Sequence, residues 1–192
     1  VIPRALCFYH RVSCAGIPFL KLRAFAKIQA NIKSPFSEFG LFSLKQDDYI
    51  HLWIWSKEIE KEIEKEISYK LGGNQRFRIY PSSLAAKKKI SGVLFLYDDE
   101  GQGVESQLWV NHKLCDSLFF SEVPTPLSWS RFLSENPTLS EIGWPSEIDE
   151  ELEISDKQDL WGLNLTPSAN SYIAINFALL FELILVLSTF FI

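Results

Sequence analysis

The sequence predicts an α/β (α+β) soluble domain with a mixed sheet, followed by one C-terminal transmembrane helix. Three observations lead to this expectation. Helical and strand patterns alternate over residues 1–136, Gly, Pro, Ser and acidic residues dominate 137–170, and 171–192 is almost entirely apolar. We therefore expect a soluble domain, an acidic linker of low order and a membrane span, in that order.

The apolar run accounts for the membrane prediction. Seventeen of the 21 residues in 172–192 are apolar, and none is Pro, Gly, Lys or Arg. A helix needs about 20 such residues to cross the hydrocarbon core. A buried helix of a large soluble protein is the alternative, but the preceding chain is too short to surround one. Asn176 and Glu182 interrupt the run, and we expect them to face a partner transmembrane segment, with a neutral, lipid-facing Glu as the alternative.

Composition narrows the class of protein further. The chain has no Met and stops inside the apolar run, so we expect a fragment, open at both ends. Residues 1–140 carry a net charge of +3 and 141–192 one of −8. A body this weakly basic argues against nucleic-acid binding.

The cysteine pattern indicates a reducing compartment. Cys7, Cys14 and Cys115 are odd in number and form no C-x-x-C pair, so no disulfide framework is expected. If 4–12 is a strand, Cys7 and His10 point to opposite faces. A metal site with Cys14 is therefore not expected.

The first third of the chain predicts a strand and a helix. Aromatic and β-branched residues predict a strand over 4–12. An amphipathic pattern predicts a helix over 18–33, which Ser34-Pro35 ends. Spacings of three and four predict that its inner face is formed by Leu22, Phe25, Ile28, Gln29 and Ile32.

A hairpin and a charged helix follow. Residues 41–45 and 49–55 read as strands joined by Gln46-Asp47-Asp48. Both faces of 49–55 are largely apolar, which predicts a central strand with His51 as a core residue. Isoleucines every four residues and paired Glu and Lys predict a helix over 57–71 that Gly72-Gly73 ends.

The second half predicts a meander. A short strand is expected over 76–80, then three antiparallel strands over 90–97, 104–110 and 114–120. Thr125 is the expected N-cap of a helix over 126–135. Isolated tryptophans in 137–170 are expected at most to touch the domain or a partner.

No motif in the chain names a reaction. Nucleotide-loop and nucleophile-elbow patterns are absent, so no catalytic, cofactor-binding or metal-ligating residue is assigned. The acidic loop 98–103 reads as a turn. Glu105, Gln107 and Trp109 share a strand face, where they form either a polar site or a half-exposed edge.

The layout resembles that of a known family. The resemblance rests on four features of the sequence. These are the helix leading into S-P-F-S-E-F-G (34–40) and the segments H-L-W-I-W (51–55), R-I-Y-P-S-S-L (78–84) and V-E-S-Q-L-W-V (104–110). With the order of elements and the single span, they resemble the general secretion pathway protein L family and the related PilM and PilN proteins of type IV pili. The resemblance covers most of residues 4–192.

The resemblance implies an actin-like (ribonuclease H-like) cytoplasmic domain without enzymatic activity and without a cofactor. It implies a bacterial inner-membrane assembly-platform component of a type II secretion or type IV pilus system. The partners it implies are a secretion or pilus ATPase and a single-span M-type or PilO-like protein. A membrane-tethered nucleotide-binding or enzymatic sensor, with a degenerate actin-like site around 98–103, is the alternative.

Overall fold

The computed structural model describes residues 1–71, 79–85, 89–97, 103–135 and 161–166. These residues form a mixed α+β structure in which two antiparallel sheets pack face to face. The helices are α1 (Leu22–Lys33), α2 (Lys57–Leu71) and α3 (Pro126–Glu135). The strands are β1 (Phe8–Ser13), β2 (Phe39–Gln46), β3 (Tyr49–Ser56), β4 (Gly92–Tyr97), β5 (Val104–Val110), β6 (Lys113–Phe120) and β7 (Leu163–Asn164).

The first sheet has the strand order β1-β3-β2-β7. Its centre is β3, whose residues from Ile50 to Trp55 are all buried, which confirms the predicted central strand covered on both sides. The turn between β2 and β3 places Asp47 at a φ of 50°. Asp is one of the residue types that adopt this left-handed conformation more readily than most.

The second sheet is the predicted meander, with the order β4-β5-β6. Asn111 and His112 connect β5 to β6 with φ angles of 50° and 62°. Two successive positive φ angles are typical of the two-residue turns that match the twist of a hairpin. The sequence predicted a strand over 114–120, and β6 begins one residue earlier, at Lys113.

The predicted mixed sheet is wrong for the described residues, because every pairing within the two sheets is antiparallel. The one parallel contact there is an isolated bridge between Ile2 and Pro81. Ile79 and Tyr80 are not in a strand. The rest of the strand predicted over 76–80 lies outside the described residues.

Three apolar clusters fix the layers. The first lies between the two sheets and contains large side chains from the facing sides of both, including Trp53, Trp55 and Trp109. The second lies between the first sheet and α1. The third lies between the second sheet and α3, around Trp129. The order of layers is therefore helix, sheet, sheet, helix.

The inner face of α1 differs from the prediction. Leu22 is buried as expected, but Ala26 and Ala30 are the other buried residues. Ile28 and Ile32 are 55% and 67% exposed. Alanines allow the helix backbone to approach the sheet closely, and this rotates the two larger isoleucines out of the contact.

The other two helices follow their sequence signals. α2 spans the predicted residues, and Glu66 and Lys70 form the expected pair four residues apart, with 2.6 Å between Oε1 and Nζ. Gly72-Gly73 lies outside the described residues. At the start of α3, the Ser128 amide donates to Thr125 Oγ1 over 3.2 Å, which confirms the predicted N-cap.

Residues 161–166 belong to the folded body, although the sequence predicted low order across 137–170. β7 pairs with the edge of β2, and the Leu165 amide donates to the Ser43 carbonyl over 2.9 Å. Trp161 is buried between the sheets, where its ring lies 4.9 Å from that of Trp109 and 6.4 Å from that of Trp53. A single Trp and two strand residues carry too little periodicity to be recognised in sequence.

The predicted membrane span, 171–192, lies outside the described residues, as do Asn176 and Glu182. Within the described ranges, no helix combines the length and apolarity that crossing a membrane requires.

Trp161 provides a test of the contact between 161–166 and the sheets. We expect Trp161→Ala to lower the free energy of unfolding by about 3–5 kcal/mol, because truncation leaves a large cavity between the sheets. Urea denaturation followed by circular dichroism measures the change. Tyr69→Ala, at a side chain that is 90% exposed, is the matched control and leaves the midpoint unchanged. An equally stable Trp161→Ala variant would contradict the placement of 161–166.

Candidate functional site

The two sheets enclose a buried ion pair. Arg4 lies in a short 3-10 turn before β1, and Glu105 lies on the inner face of β5. Arg4 Nε is 3.6 Å from Glu105 Oε1, and the side chains are 9% and 2% exposed. Ser117 of β6 joins them: Arg4 Nε donates to Ser117 Oγ over 3.1 Å, and Ser117 Oγ donates to Glu105 Oε1 over 2.5 Å.

The guanidinium of Arg4 is fixed by main-chain acceptors as well. Its Nη1 donates to the carbonyl of Cys7, and its Nη2 donates to the carbonyl of Ser117 over 3.1 Å. All three nitrogens of the fork therefore have partners. Arginine suits this position because its planar donors can bind several acceptors at once without losing their charge.

The network continues along β5 through Gln107. Its Nε2 donates to Glu105 Oε1 over 3.2 Å and to the Ser83 carbonyl over 2.8 Å. Trp109 Nε1 donates to Gln107 Oε1 over 3.2 Å. A continuous chain of hydrogen bonds thus links the N-terminal turn, β6, β5 and the 3-10 turn Ser82–Ala85. We call Arg4, Glu105, Gln107, Trp109 and Ser117 the intersheet network.

The structure decides between the two sequence interpretations of Glu105, Gln107 and Trp109. They do share one face of β5, but this face is fully buried, so the half-exposed edge is wrong. Arg4 and Ser117 were missed. An Arg among apolar residues and a Glu in an apolar strand could each have indicated one half of a buried ion pair. Arg4 and Glu105 are 101 positions apart, however, and no local sequence pattern predicts a contact over that separation.

Cys7 lies beside the network and is not a reactive thiol. Burial raises its pKa to about 12, and the nearby Glu105 charge adds to the rise while Arg4 opposes it. A protonated, buried thiol is a poor nucleophile and a poor metal ligand. Cys14 lies in the cluster beneath α1, on the other side of the first sheet. Cys7 and Cys14 are therefore separated by the sheet, and all three cysteines are free.

His51 is a core residue, as predicted. Tyr9 Oη lies 2.7 Å from His51 Nδ1. Burial lowers the pKa of His51 to about 3, with a smaller contribution from the Arg11 charge, and burial raises the pKa of Tyr9 well above its usual value. Both side chains are therefore neutral, and the tautomer of His51 sets which of them donates in this hydrogen bond. His51 Nε2 has no hydrogen-bond partner in the described part of the chain.

Further polar contacts join the end of β2 and the turn after it to the start of β6. Gln46 Oε1 accepts from the Leu114 amide over 2.9 Å, and Lys113 Nζ forms an ion pair with Asp47. Asp116 of β6 is half-buried, and burial raises its pKa. The contacts of Gln46 and Asp47 connect the hairpin of β2 and β3 to the second sheet, and the intersheet network connects the turn before β1 to that sheet.

No other sequence-predicted site is assembled in the described residues. These residues contain no group of three or more His, Cys, Asp or Glu side chains that could hold a metal ion. Of the loop 98–103, only Gly103 is described. Asn176 and Glu182 also lie outside the described residues, so the predicted intramembrane contact stays a prediction.

The intersheet network is suited to fixing one arrangement of the two sheets. Its charges are shielded from water, and its donors and acceptors bind one another. Comparisons with protein-family models, curated proteins and solved structures found no match to this chain.

Removing one charge of the ion pair is expected to be costly. Glu105→Gln keeps the size of the side chain but leaves Arg4 buried without its counter-charge. We expect a loss of about 3–5 kcal/mol in the free energy of unfolding, measured by urea denaturation. Arg4→Met combined with Glu105→Leu should recover most of this loss, because no unpaired charge then remains.

Glu66→Gln is the matched control for that substitution. It makes the same chemical change in the exposed Glu66–Lys70 pair, where solvent screens both charges, and leaves the urea midpoint unchanged. If Glu105→Gln were as harmless as Glu66→Gln, the network would not hold the sheets together.

The buried His51 predicts acid sensitivity. Its pKa is about 3 when folded and about 6.5 when unfolded, so between these values the unfolded chain binds a proton that the folded chain does not. The contribution of His51 to stability is complete above pH 6.5 and is lost as the pH falls toward 3. The expected loss is at most about 1.4 kcal/mol for each pH unit.

The difference between wild type and His51→Gln isolates this effect. Both proteins contain Asp116, whose raised pKa gives a pH dependence of the opposite sign, and His10, whose lowered pKa gives one of the same sign. We expect the variant to lose stability less steeply than wild type below pH 6.5 in urea titrations. Parallel curves would mean that His51 can be protonated in the folded protein.

Proposed function

We propose that this protein is a membrane-anchored structural adaptor, an inner-membrane assembly-platform component of a type II secretion or type IV pilus-like system. Its body docks protein partners in the cytoplasm, and the apolar run 172–192 anchors it as a single-pass protein. The observation that carries the proposal is the position of β7. This strand fixes the chain to the body only a few residues before the apolar run begins.

The hydrogen bonds around β7 support the proposal that the soluble body is connected to the membrane anchor through residues that are themselves part of the fold. The Ser43 amide donates to Thr166 Oγ1 over 2.9 Å, and the Thr166 amide donates to Asn164 Oδ1 over 2.8 Å. Five residues separate Thr166 from Tyr172, and an extended chain over these six Cα–Cα steps reaches about 20 Å. A body with so short a connection to its anchor is held close to the membrane surface.

We also propose that the body is a variant of part of an actin-like fold. The support is the order of elements from β1 to α3, in which a strand, a helix, a hairpin and a second helix precede a three-stranded meander and a third helix. This order agrees with that of the resemblance, apart from the strand predicted over 76–80. The intersheet network gives such a body a fixed shape, which an adaptor needs to present its surfaces.

The partners of the proposal are a secretion or pilus ATPase on the cytoplasmic side and a second single-span protein within the membrane. Glu182 is the residue proposed to contact the second span. A carboxyl group in hydrocarbon is costly unless a neighbouring helix offers a hydrogen-bond donor. The free state of all three cysteines is compatible with a cytoplasmic body.

The proposal predicts a specific set of associated proteins. The full chain, purified from detergent-solubilised bacterial membranes, should bring down a secretion or pilus ATPase and a second single-span protein, identified by mass spectrometry. Glu182→Leu should reduce recovery of the single-span protein about five- to thirtyfold, because an interhelical hydrogen bond worth about 1–2 kcal/mol is lost. The ATPase should remain.

Phe181→Leu is the matched control, since it changes the neighbouring position of the same run without removing a polar group. It should recover both partners. If the wild-type chain emerges alone, the adaptor proposal is contradicted. If Mg²⁺-ATP binds the purified chain more tightly than about millimolar, and Asp98→Ala abolishes this binding, the nucleotide-binding alternative replaces it.

A further inference from the structure

The outward side of α1 carries a row of apolar side chains. Ala24, Ile28 and Ile32 follow one another at intervals of four residues, and Leu20, which is 92% exposed, precedes them in the 3-10 turn Phe19–Lys21. Residues four apart on a helix are surface neighbours, so these side chains form a continuous stripe. The buried side of α1 is formed by other residues, namely Leu22, Ala26 and Ala30, and Ile28 and Ile32 are 55% and 67% exposed.

The charges beside this stripe are all basic. Residues 19–33 contain four basic residues and no acidic ones; the basic residues are Lys21, Arg23, Lys27 and Lys33, all exposed. A turn of 100° per residue places Arg23 and Lys27 along one side of the stripe. α2 is also exposed on its outer side, but its Lys and Glu residues nearly balance. A basic helix with exposed apolar side chains is typical of helices that lie on anionic membrane surfaces.

The last described residues, 161–166, reach the side of the first sheet on which α1 lies. Leu165 is part of the apolar cluster beneath α1, together with Leu22, Ala26 and Ala30. The apolar run starts six residues after Thr166, a reach of about 20 Å. An α-helix with its side chains is itself about 10–12 Å thick. The connection is therefore long enough to bring the α1 side of the body onto a membrane that holds 172–192.

We propose that the exposed face of α1 binds anionic lipid headgroups; this face is formed by Ala24, Ile28 and Ile32, with Leu20 of the preceding turn and with Arg23 and Lys27 beside them. The inference rests on the proposed membrane anchor. The apolar stripe enters the boundary of the headgroups, and the basic side chains approach the lipid phosphates. The contact fixes the orientation of the body and leaves its other surfaces free for partners.

By charge alone, an acidic segment would also be attracted to this face. Residues 141–160 of the same chain contain eight acidic residues and one Lys. We favour the membrane because the short connection after Thr166 holds α1 near it. The acidic segment is distinguished from lipid by the test below.

The test places a fluorescent probe on the face. Ala24→Cys is labelled with an environment-sensitive fluorophore in the full chain carrying Cys115→Ser; Cys7 and Cys14 are buried. The protein is incorporated into nanodiscs of phosphatidylcholine alone or of phosphatidylcholine with phosphatidylglycerol, with or without lipids bearing a headgroup nitroxide quencher. Glu64→Cys, on the exposed side of α2, is the matched control position.

The position-24 probe should be quenched and shifted to the blue in discs containing phosphatidylglycerol, and much less in phosphatidylcholine alone. Arg23→Gln and Lys27→Gln should each weaken the membrane-bound population about fivefold, and high salt should have a similar effect. The position-64 probe should respond to neither lipid.

Three results would overturn the inference. Equal quenching at positions 24 and 64 would mean that α1 is not the membrane-facing side. A blue shift without lipid quenching, present in both kinds of disc and sensitive to salt, would mean that the acidic segment covers the face. If the chain does not co-elute with nanodiscs, the membrane anchor itself is refuted, and the proposed function fails with it. In the first two results the chain still co-elutes, so only the lipid contact of α1 fails.

Discussion

The buried ion pair between Arg4 and Glu105 is the strictest constraint in the structure, because neither charge can stay buried without the other. Two charges removed from water are stable only if each is paired and hydrogen-bonded. That requirement brings together the N-terminal turn, β5 and β6, through Ser117. With those segments fixed, the apolar faces of the two sheets meet in one register, and Trp161 fills the space between Trp53 and Trp109.

The local elements could be predicted from sequence because their signals are local. The four-residue repeat of α2, the apolar alternation of the meander and the cap at Thr125 each depend on neighbours a few positions apart. The sandwich of two antiparallel sheets depends instead on contacts across the chain, such as that of Arg4 with Ser117. β7 was missed for the same reason, since two residues on the edge of β2 have no pattern of their own.

α1 illustrates how packing overrides a correct periodicity. The helix was predicted from its apolar spacing, yet the residues chosen for its inner face included Ile28 and Ile32, which are exposed. The sheet instead accepts Ala26 and Ala30, because small side chains permit closer packing. A sequence pattern ranks large apolar residues as core, and only the tertiary contact shows that these two remain available for another surface. Thus one side of α1 packs on the first sheet, and its other side exposes apolar and basic side chains to the surface.

The central functional claim is that this body is tied to a membrane, and alkaline carbonate extraction of membranes from cells expressing the full chain tests it most directly. This treatment releases proteins held by surface charge and retains those with an inserted helix. The account predicts that the chain stays with the membrane pellet, because a run of this length and apolarity is favoured in hydrocarbon. Recovery of the chain in the supernatant would contradict the anchor, whatever the body binds.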